Sequence, residues 1–328
     1  MPMVDLSVVI PVRNEAASLD ELHAELSNTL RAWGRSYELI VIDDGSTDES
    51  FETLARLQAV DPHLTVIRFR RNFGQTAAFA AGFDHARGRI IVTSDGDLQN
   101  DPHDIPAMVE AVERGADIVC GWRKNRRDVF LSRRLPSMMA NSLISVVTGV
   151  HLHDYGCSLK AFRAEIVKSM KLYGEMHRFL PAIASEQTSS IVERVVSHRA
   201  RKHGRSKYGI GRTVRVVLDL LTVKFLLSYS TRPLHMFGLI GGTMGLAGFL
   251  LTGWLAYGRL MGSVSLNQHQ PLLLLGIVLM FTGVQLVTVG LLAEMQARTY
   301  HESQNKPTYV IREIRHSTPN DVRVMAKG

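Results

Sequence analysis

A chain of 328 residues that is 45% apolar and 21% charged can hold two ordinary folded domains, which excludes a disordered or fibrous protein. The formal net charge of +7 is local: between Arg201 and Arg232 eight Lys or Arg face one acid, Asp219. Its aromatics, Tyr208, Phe225 and Tyr229, do not alternate with the cations and an apolar span follows directly, so it points to a membrane surface and away from nucleic acid. The two cysteines, Cys120 and Cys157, exclude a disulfide framework. With His151 and His153, Cys157 matches no common zinc spacing.

In chain order, Met1–Leu6 runs straight into a first strand, Leu6–Pro11, so no amino-terminal signal segment is expected. Asn14 is placed to cap the following helix, whose apolar stripe is Leu19, Leu22, Leu26 and Leu30. A second strand, Leu39–Ile42, runs into Asp43-Asp44-Gly45-Ser46, and Ser46 with Glu49 has capping-box spacing for a helix over Ser50–Ala59. Leu64–Phe69 reads as a third strand, Gln75–Ala86 as an Ala-rich helix, and Arg89–Thr93 as a fourth strand. A helix over Ile105–Arg114 stops at Gly115, and Asp117–Cys120 gives a fifth strand. This alternation predicts an α/β domain with a mostly parallel sheet and helices on both faces.

The polar residues gather after the strands: Pro11 to Glu15, Asp43 and Asp44, Asn72, Asp95 and Asp97, then Arg123. Ligands of open α/β sheets bind outside the strand carboxyl ends. No G-x-G-x-x-G follows the first strand and no G-x-x-x-x-G-K-[ST] occurs, so phosphates must be met by metal and cationic side chains. Asp95 and Asp97, with Gly96 between them, form an oxygen pair suited to Mg2+ or Mn2+ on a pyrophosphate.

Three motifs in order, Val9–Glu15, Ile42–Asp48 and Asp95–Gln99, resemble the family 2 inverting glycosyltransferases that use nucleotide sugars. The resemblance implies a GT-A, Rossmann-like fold over residues 6–125. By that likeness Asp43 and Asp44 read the base and ribose of the donor, and Asp95 and Asp97 bind the metal and pyrophosphate; Pro11, Asn14, Glu15 and Gln99 are expected beside them at the donor, with Arg123 as the cation for its phosphate. Arg70–Gln75, Leu98–Pro102, Asp154–Cys157 and Gly204–Tyr208 narrow it to the branch that glycosylates polyprenyl phosphates. Within that branch it resembles undecaprenyl-phosphate 4-deoxy-4-formamido-L-arabinose transferases, and the likeness extends to bacterial membrane glucosyl and dolichyl-phosphate mannosyl transferases. Asp97 and Asp154 are the expected catalytic residues. Gly96 replaces a common alanine, and Asp101 stands where proline is common, a departure that touches donor preference.

The loop Arg123–Arg134 holds six cations against Asp128. Arg133, Arg134, Arg205 and Lys207 are candidates for the lipid phosphate, because guanidinium forks bridge anions that would otherwise repel. Residues 1–210 are expected to form a cytoplasmic catalytic domain and 211–232 an amphipathic interfacial helix. Two helices cross the membrane within 233–294, over about 234–258 and 271–293, runs without any Asp, Glu, Lys or Arg. Lys and Arg before the first span, and Arg298 after the second, place both termini in the cytoplasm of a bacterial inner membrane. The tail from 295 is polar, with a return against the catalytic domain as its only foreseeable role.

The expected function is inverting transfer of a sugar, probed first as a UDP-sugar, to undecaprenyl phosphate, of the kind that serves cell-envelope and lipopolysaccharide modification. GDP-mannose-dependent transfer is the alternative donor chemistry, and a membrane-anchored binding or lipid-translocating protein, workable only as a homo-oligomer, is the non-catalytic one. A processive polysaccharide synthase would carry Q-x-x-R-W and more spans, and neither is present.

Overall fold

Short β-branched runs bounded by turns build the sheet, and the computed structural model gives their boundaries. It describes residues 4–124, 141–142, 144–145, 148–170, 172, 176–185, 187–199, 233–262, 268–303 and 308–316. Arg133, Arg134, Arg205, Lys207 and the interfacial helix expected over 211–232 lie outside the described residues.

Strands β1 (Val4–Val12), β2 (Tyr37–Asp43), β3 (Leu64–Phe69), β4 (Gly88–Thr93) and β5 (Ile118–Trp122) alternate with helices α1 (Ala16–Trp33), α2 (Ser50–Val60), α3 (Gln75–His85) and α4 (Ile105–Glu113). After β5 come β6 (Lys160–Arg163), α5 (Ala164–Ser169), α6 (Leu180–Ala184) and β7 (Ile191–Val195), and β8 (Ile311–Arg315) closes the domain. The sheet order is β7-β5-β6-β4-β1-β2-β3-β8. Among the described strands only β6 and β8 pair antiparallel to their neighbours.

The two faces follow from strand alternation. Leu6, Val8, Ile10 and Val12 of β1 join Leu19, Leu22, Leu26 and Leu30 of α1, with α2 and α4, in the main core. The opposite face receives α3 at close range: a Cβ at Gly82 would lie 2.1 Å from Val9 Cγ1. Strand β1 lies between β4 and β2, and its ladder with β4 ends at Val9↔Thr93, two residues before Pro11. The missing amide of Pro11 therefore costs no bond on that side, where the ladder between β1 and β4 ends and the strand order turns. This is the reversal of strand order where α/β sheets bind ligands.

The tail does return. Its β8 pairs with β3 from Val66↔Arg315 to Phe69↔Ile311, and Arg70 donates its amide to Val310 O at 3.0 Å. Tyr309 stacks on Phe69 with centroids 5.2 Å apart and donates to Asp84 at 2.7 Å. Burial together with Asp84 raises the Tyr309 hydroxyl well above its ordinary pKa.

Asp61 clasps the far end of the core. It accepts from His23 at 2.7 Å, Ser27 at 3.2 Å and the His63 amide at 2.9 Å. Burial alone would raise its carboxyl, but His23 and the His63 amide hold it down at about 2. A folded value below the unfolded one gives stability that is full above about pH 4 and lost as pH falls toward 2. Asp61→Asn should therefore lower the melting temperature at pH 7, by about 1–2 kcal/mol of stability. The gap to wild type should close in thermal scans below about pH 3; a gap independent of pH would remove this role.

The second unit is the hairpin of α7 (Pro233–Leu260) and α8 (Gln270–Ser303). Phe237–Leu260 and Gln270–Leu292 are each long and apolar enough to cross a membrane. Glycine lets the two backbones approach: a Cβ at Gly283 would lie 2.5 Å from Gly241 O, and one at Gly248 the same distance from Gly276 O. Phe249, Trp254 and Phe281 remain exposed on the outside of the hairpin, as lipid-facing residues would be.

Candidate active site

The ends of β1 and β2 are tied to each other before any ligand arrives. Asn14 adopts a left-handed φ of 57°, and its Oδ1 accepts from the Thr47 amide at 2.8 Å. It does not cap α1; instead Ala16 N donates to Asp48 Oδ2 at 3.2 Å, so the helix start is served by the neighbouring loop. Ser46 likewise makes no capping box. Its hydroxyl accepts from the Asn14 amide at 3.0 Å, while Asp48 accepts from Ser50 at the start of α2. Local spacing alone suggested self-capped helices, but Asp48 serves the start of α1 from the neighbouring loop, and Asn14 and Ser46 bond across to the opposite loop over 32–33 residues.

Asp43 and Asp44 separate in role. Asp44 accepts from the Phe73 amide at 2.6 Å and the Gly74 amide at 3.0 Å, and burial raises its carboxyl despite those bonds. It therefore fixes the 70–74 loop against β2. Gly45 permits that closeness with a φ of 66°; a Cβ there would lie 2.5 Å from Arg71 C. Asp43 Oδ1 accepts from the Ser46 amide, but its buried Oδ2 has no hydrogen bond, only Arg68 Nε at 3.6 Å.

Beyond β4, Gln75 at the start of α3 donates to Asp95 Oδ1 at 2.9 Å. The Asp95 carboxyl is half-buried. Desolvation, ahead of repulsion from Asp97, raises its pKa, while Ser158, Lys160 and Arg123 oppose the rise. Asp97 is buried and accepts from the Gln99 amide at 3.2 Å. The next residue, Leu98, is buried in a left-handed conformation with φ 63°, a strained turn of the kind kept at functional sites. Among the described residues no third His, Cys, Asp or Glu joins this pair as a metal cluster. Two hard oxygen donors with like-charge strain fit a divalent cation that takes its other ligands from phosphate and water. Asp101 caps the following turn through His103 N and is held by Arg199 at 2.9 Å.

Beyond the end of β5, Arg123 donates from Nε and Nη2 to the two oxygens of Asp154 at 2.7 and 2.9 Å. Burial would lower the guanidinium, but Asp154 overrides it and holds Arg123 above its ordinary pKa. The loop carrying Asp154 ends at Ser158, whose hydroxyl accepts from Asn100 Nδ2 at 2.8 Å. Lys160 lies buried beneath, with its ammonium on the carbonyls of Tyr155 and Cys157.

The described residues expected to meet the donor and metal, Pro11, Asn14, Glu15, Asp43, Asp44, Asp95, Asp97, Gln99 and Arg123, all sit at or just beyond one end of the sheet, with Asp154 paired to Arg123. Gln75, Ser158, Lys160 and Glu193 also belong there and were missed. Only composition could have flagged them, as polar residues in otherwise apolar stretches. The different partners of the acidic pair predict different variants. Asp44→Asn should lower the melting temperature by several degrees as well as weaken nucleotide binding, because one loop amide loses a charged acceptor worth about 1.5–3 kcal/mol. Asp43→Asn should weaken nucleotide binding with little thermal effect. Equal thermal losses, read with and without nucleotide, would contradict the division.

The family model for glycosyl transferase family 2 matches residues 7–170. The chain is 47% identical over 315 residues to dodecaprenyl-phosphate galacturonate synthase of Rhizobium johnstonii, covering 95% of this chain and 93% of that one. It is 39% identical over 320 residues to undecaprenyl-phosphate 4-deoxy-4-formamido-L-arabinose transferase of Pseudomonas paraeruginosa, covering 97% and 93%. Among solved structures, glucosyl-3-phosphoglycerate synthase from Mycobacterium tuberculosis in complex with Mn2+ and UDP-glucose has a similar fold. The TM-score is 0.56 at 20% identity, over 70% of this chain and 81% of that one.

Proposed function

The chain belongs to glycosyl transferase family 2, and from that premise we propose that it transfers a sugar from a nucleotide donor to a polyprenyl phosphate. The observation that carries this reading is the reach of the likeness. It covers 95% and 97% of the chain against two polyprenyl-phosphate sugar transferases, apolar hairpin included. The lipid phosphate oxygen attacks the anomeric carbon, the bond from that carbon to the nucleoside diphosphate breaks, and configuration inverts. A phosphate is ionised at neutral pH, so no strong general base is needed.

Asp95 and Asp97 would hold a Mg2+ or Mn2+ ion, which supplies charge stabilisation for the leaving diphosphate. Asp43, at the end of β2, reads the nucleoside, and Asp44 shapes the wall beside it. Pro11, Asn14, Glu15 and Gln99 line the donor crevice. Arg123 is the cation for donor phosphate, and Asp154 orients its fork. Arg133, Arg134, Arg205 and Lys207 receive the lipid phosphate at headgroup height. Aligning two anionic substrates contributes much of the rate. Residues 1–210 form the catalytic domain, 211–232 lie in the interface, and the two spans hold it at the cytoplasmic face.

The donor is a uridine nucleotide, and the relative named for galacturonate makes an acidic sugar the first to test. Thermal shift with UDP- and GDP-sugars and Mn2+ tests this, since a ligand at 100 times its Kd stabilises by about 2.7 kcal/mol. UDP-galacturonate should raise the melting temperature most. Stabilisation by GDP-mannose alone would move the protein to mannosyl chemistry.

A further inference from the structure

We infer that Glu193, on the edge strand β7, is a positioning residue for the Asp154–Arg123 pair; this rests on the role proposed for that pair. Glu193 lies level with Cys120 in the parallel β5–β7 ladder, one strand away from the end of β5 that carries Arg123. One of its oxygens, Oε1, accepts from the His153 amide at 2.8 Å and from the Asp154 amide at 3.3 Å. The other, Oε2, takes the His153 ring Nδ1 at 2.7 Å. The same ring stacks on Trp122, with centroids 4.2 Å apart and planes 18° from parallel. The amides that present Asp154 are thus held by a carboxylate, and the His153 ring beside them is stacked on the residue preceding Arg123.

The grip is directed at the site. Asp154 meets Arg123 through both carboxylate oxygens, a bidentate geometry with little tolerance for displacement. Two amides converging on one carboxylate oxygen hold the peptide unit that leads into Asp154. Removing that acceptor loosens the loop start, which keeps Asn141 Nδ2 on the His153 carbonyl at 2.7 Å, while Lys160 still holds its far end through Tyr155 and Cys157. Loss of Glu193 therefore tilts Asp154 without unfolding the loop, and the Arg123 fork loses its alignment to donor phosphate.

The test compares single and double variants of the full chain in detergent, with polyprenyl phosphate as acceptor. Glu193→Ala should lower kcat about tenfold or more, with donor KM changed less than about threefold. His153→Ala leaves both amide bonds in place and should cost less than about threefold. Glu193→Gln keeps the shape and one acceptor oxygen, so it should fall between wild type and Glu193→Ala. It also serves as the test if the alanine variant does not fold. The double variant Glu193→Ala/Asp154→Ala should be no slower than Asp154→Ala alone, because both act through one pair. Full activity of Glu193→Ala, or losses that multiply with those of Asp154→Ala, would overturn the inference. Full activity of Asp154→Ala would instead overturn the role given to the pair.

Discussion

Asp97→Asn should abolish transfer, by about a thousandfold or more, while leaving the melting temperature within a few degrees of wild type. The change keeps the shape of the side chain and its acceptor for the Gln99 amide, which lies 3.2 Å from Oδ1. It removes a formal charge from a site where Asp95 already carries the strain of a second carboxylate. Relief of that repulsion should, if anything, favour the fold. A chemical role thus predicts opposite directions for stability and activity, whereas a structural role would lower both. Transfer near the wild-type rate in saturating Mn2+ would sink the assignment of this pair to metal and diphosphate.

Arg123→Ala is the second large effect, and here both readouts should fall. The Arg123 side chain is mostly buried and pairs with an Asp154 side chain only 5% exposed. Removing one partner leaves a buried charge unmatched, which costs about 3–5 kcal/mol. Transfer should drop at least about a hundredfold, because the phosphate loses a forked donor. The double variant Arg123→Ala/Asp154→Ala separates the two losses: it should recover much of the stability and none of the activity. Arg123→Lys keeps charge without the planar fork and should remain impaired by about tenfold or more. Recovery of activity in the double variant would show that Arg123 serves only to neutralise Asp154.

The β-α alternation of residues 4–122 was legible because each strand is a short apolar run and each helix carries a 3.6-residue stripe, as in Leu19, Leu22, Leu26 and Leu30. The ends of those strands were legible as the site because polar residues interrupt apolar runs at Asp43, Asp95 and Arg123. What was not legible depends on contacts distant in sequence. Strand β6 is four residues long and β7 is half-exposed, so neither carries a pattern distinct from a loop. Glu193 reaches His153 across 40 residues, and Tyr309 reaches Asp84 across 225. The capping expectations at Asn14 and Ser46 failed for the same reason: both side chains had a better partner on the adjacent loop than on their own helix. The Asp43-Asp44 pair read as one unit in sequence, and only the amides of Phe73 and Gly74 distinguish its members.

The most direct measurement is transfer itself. Purified full-length protein in detergent receives Mn2+ and a UDP-sugar labelled in the sugar, with or without undecaprenyl phosphate, and the organic-phase product is identified by mass and anomeric configuration. The account predicts label in the lipid fraction only when polyprenyl phosphate is present, as a sugar phosphodiester of inverted configuration, and none from Asp97→Asn. Donor consumed at the same rate without lipid, or a product of retained configuration, would contradict it.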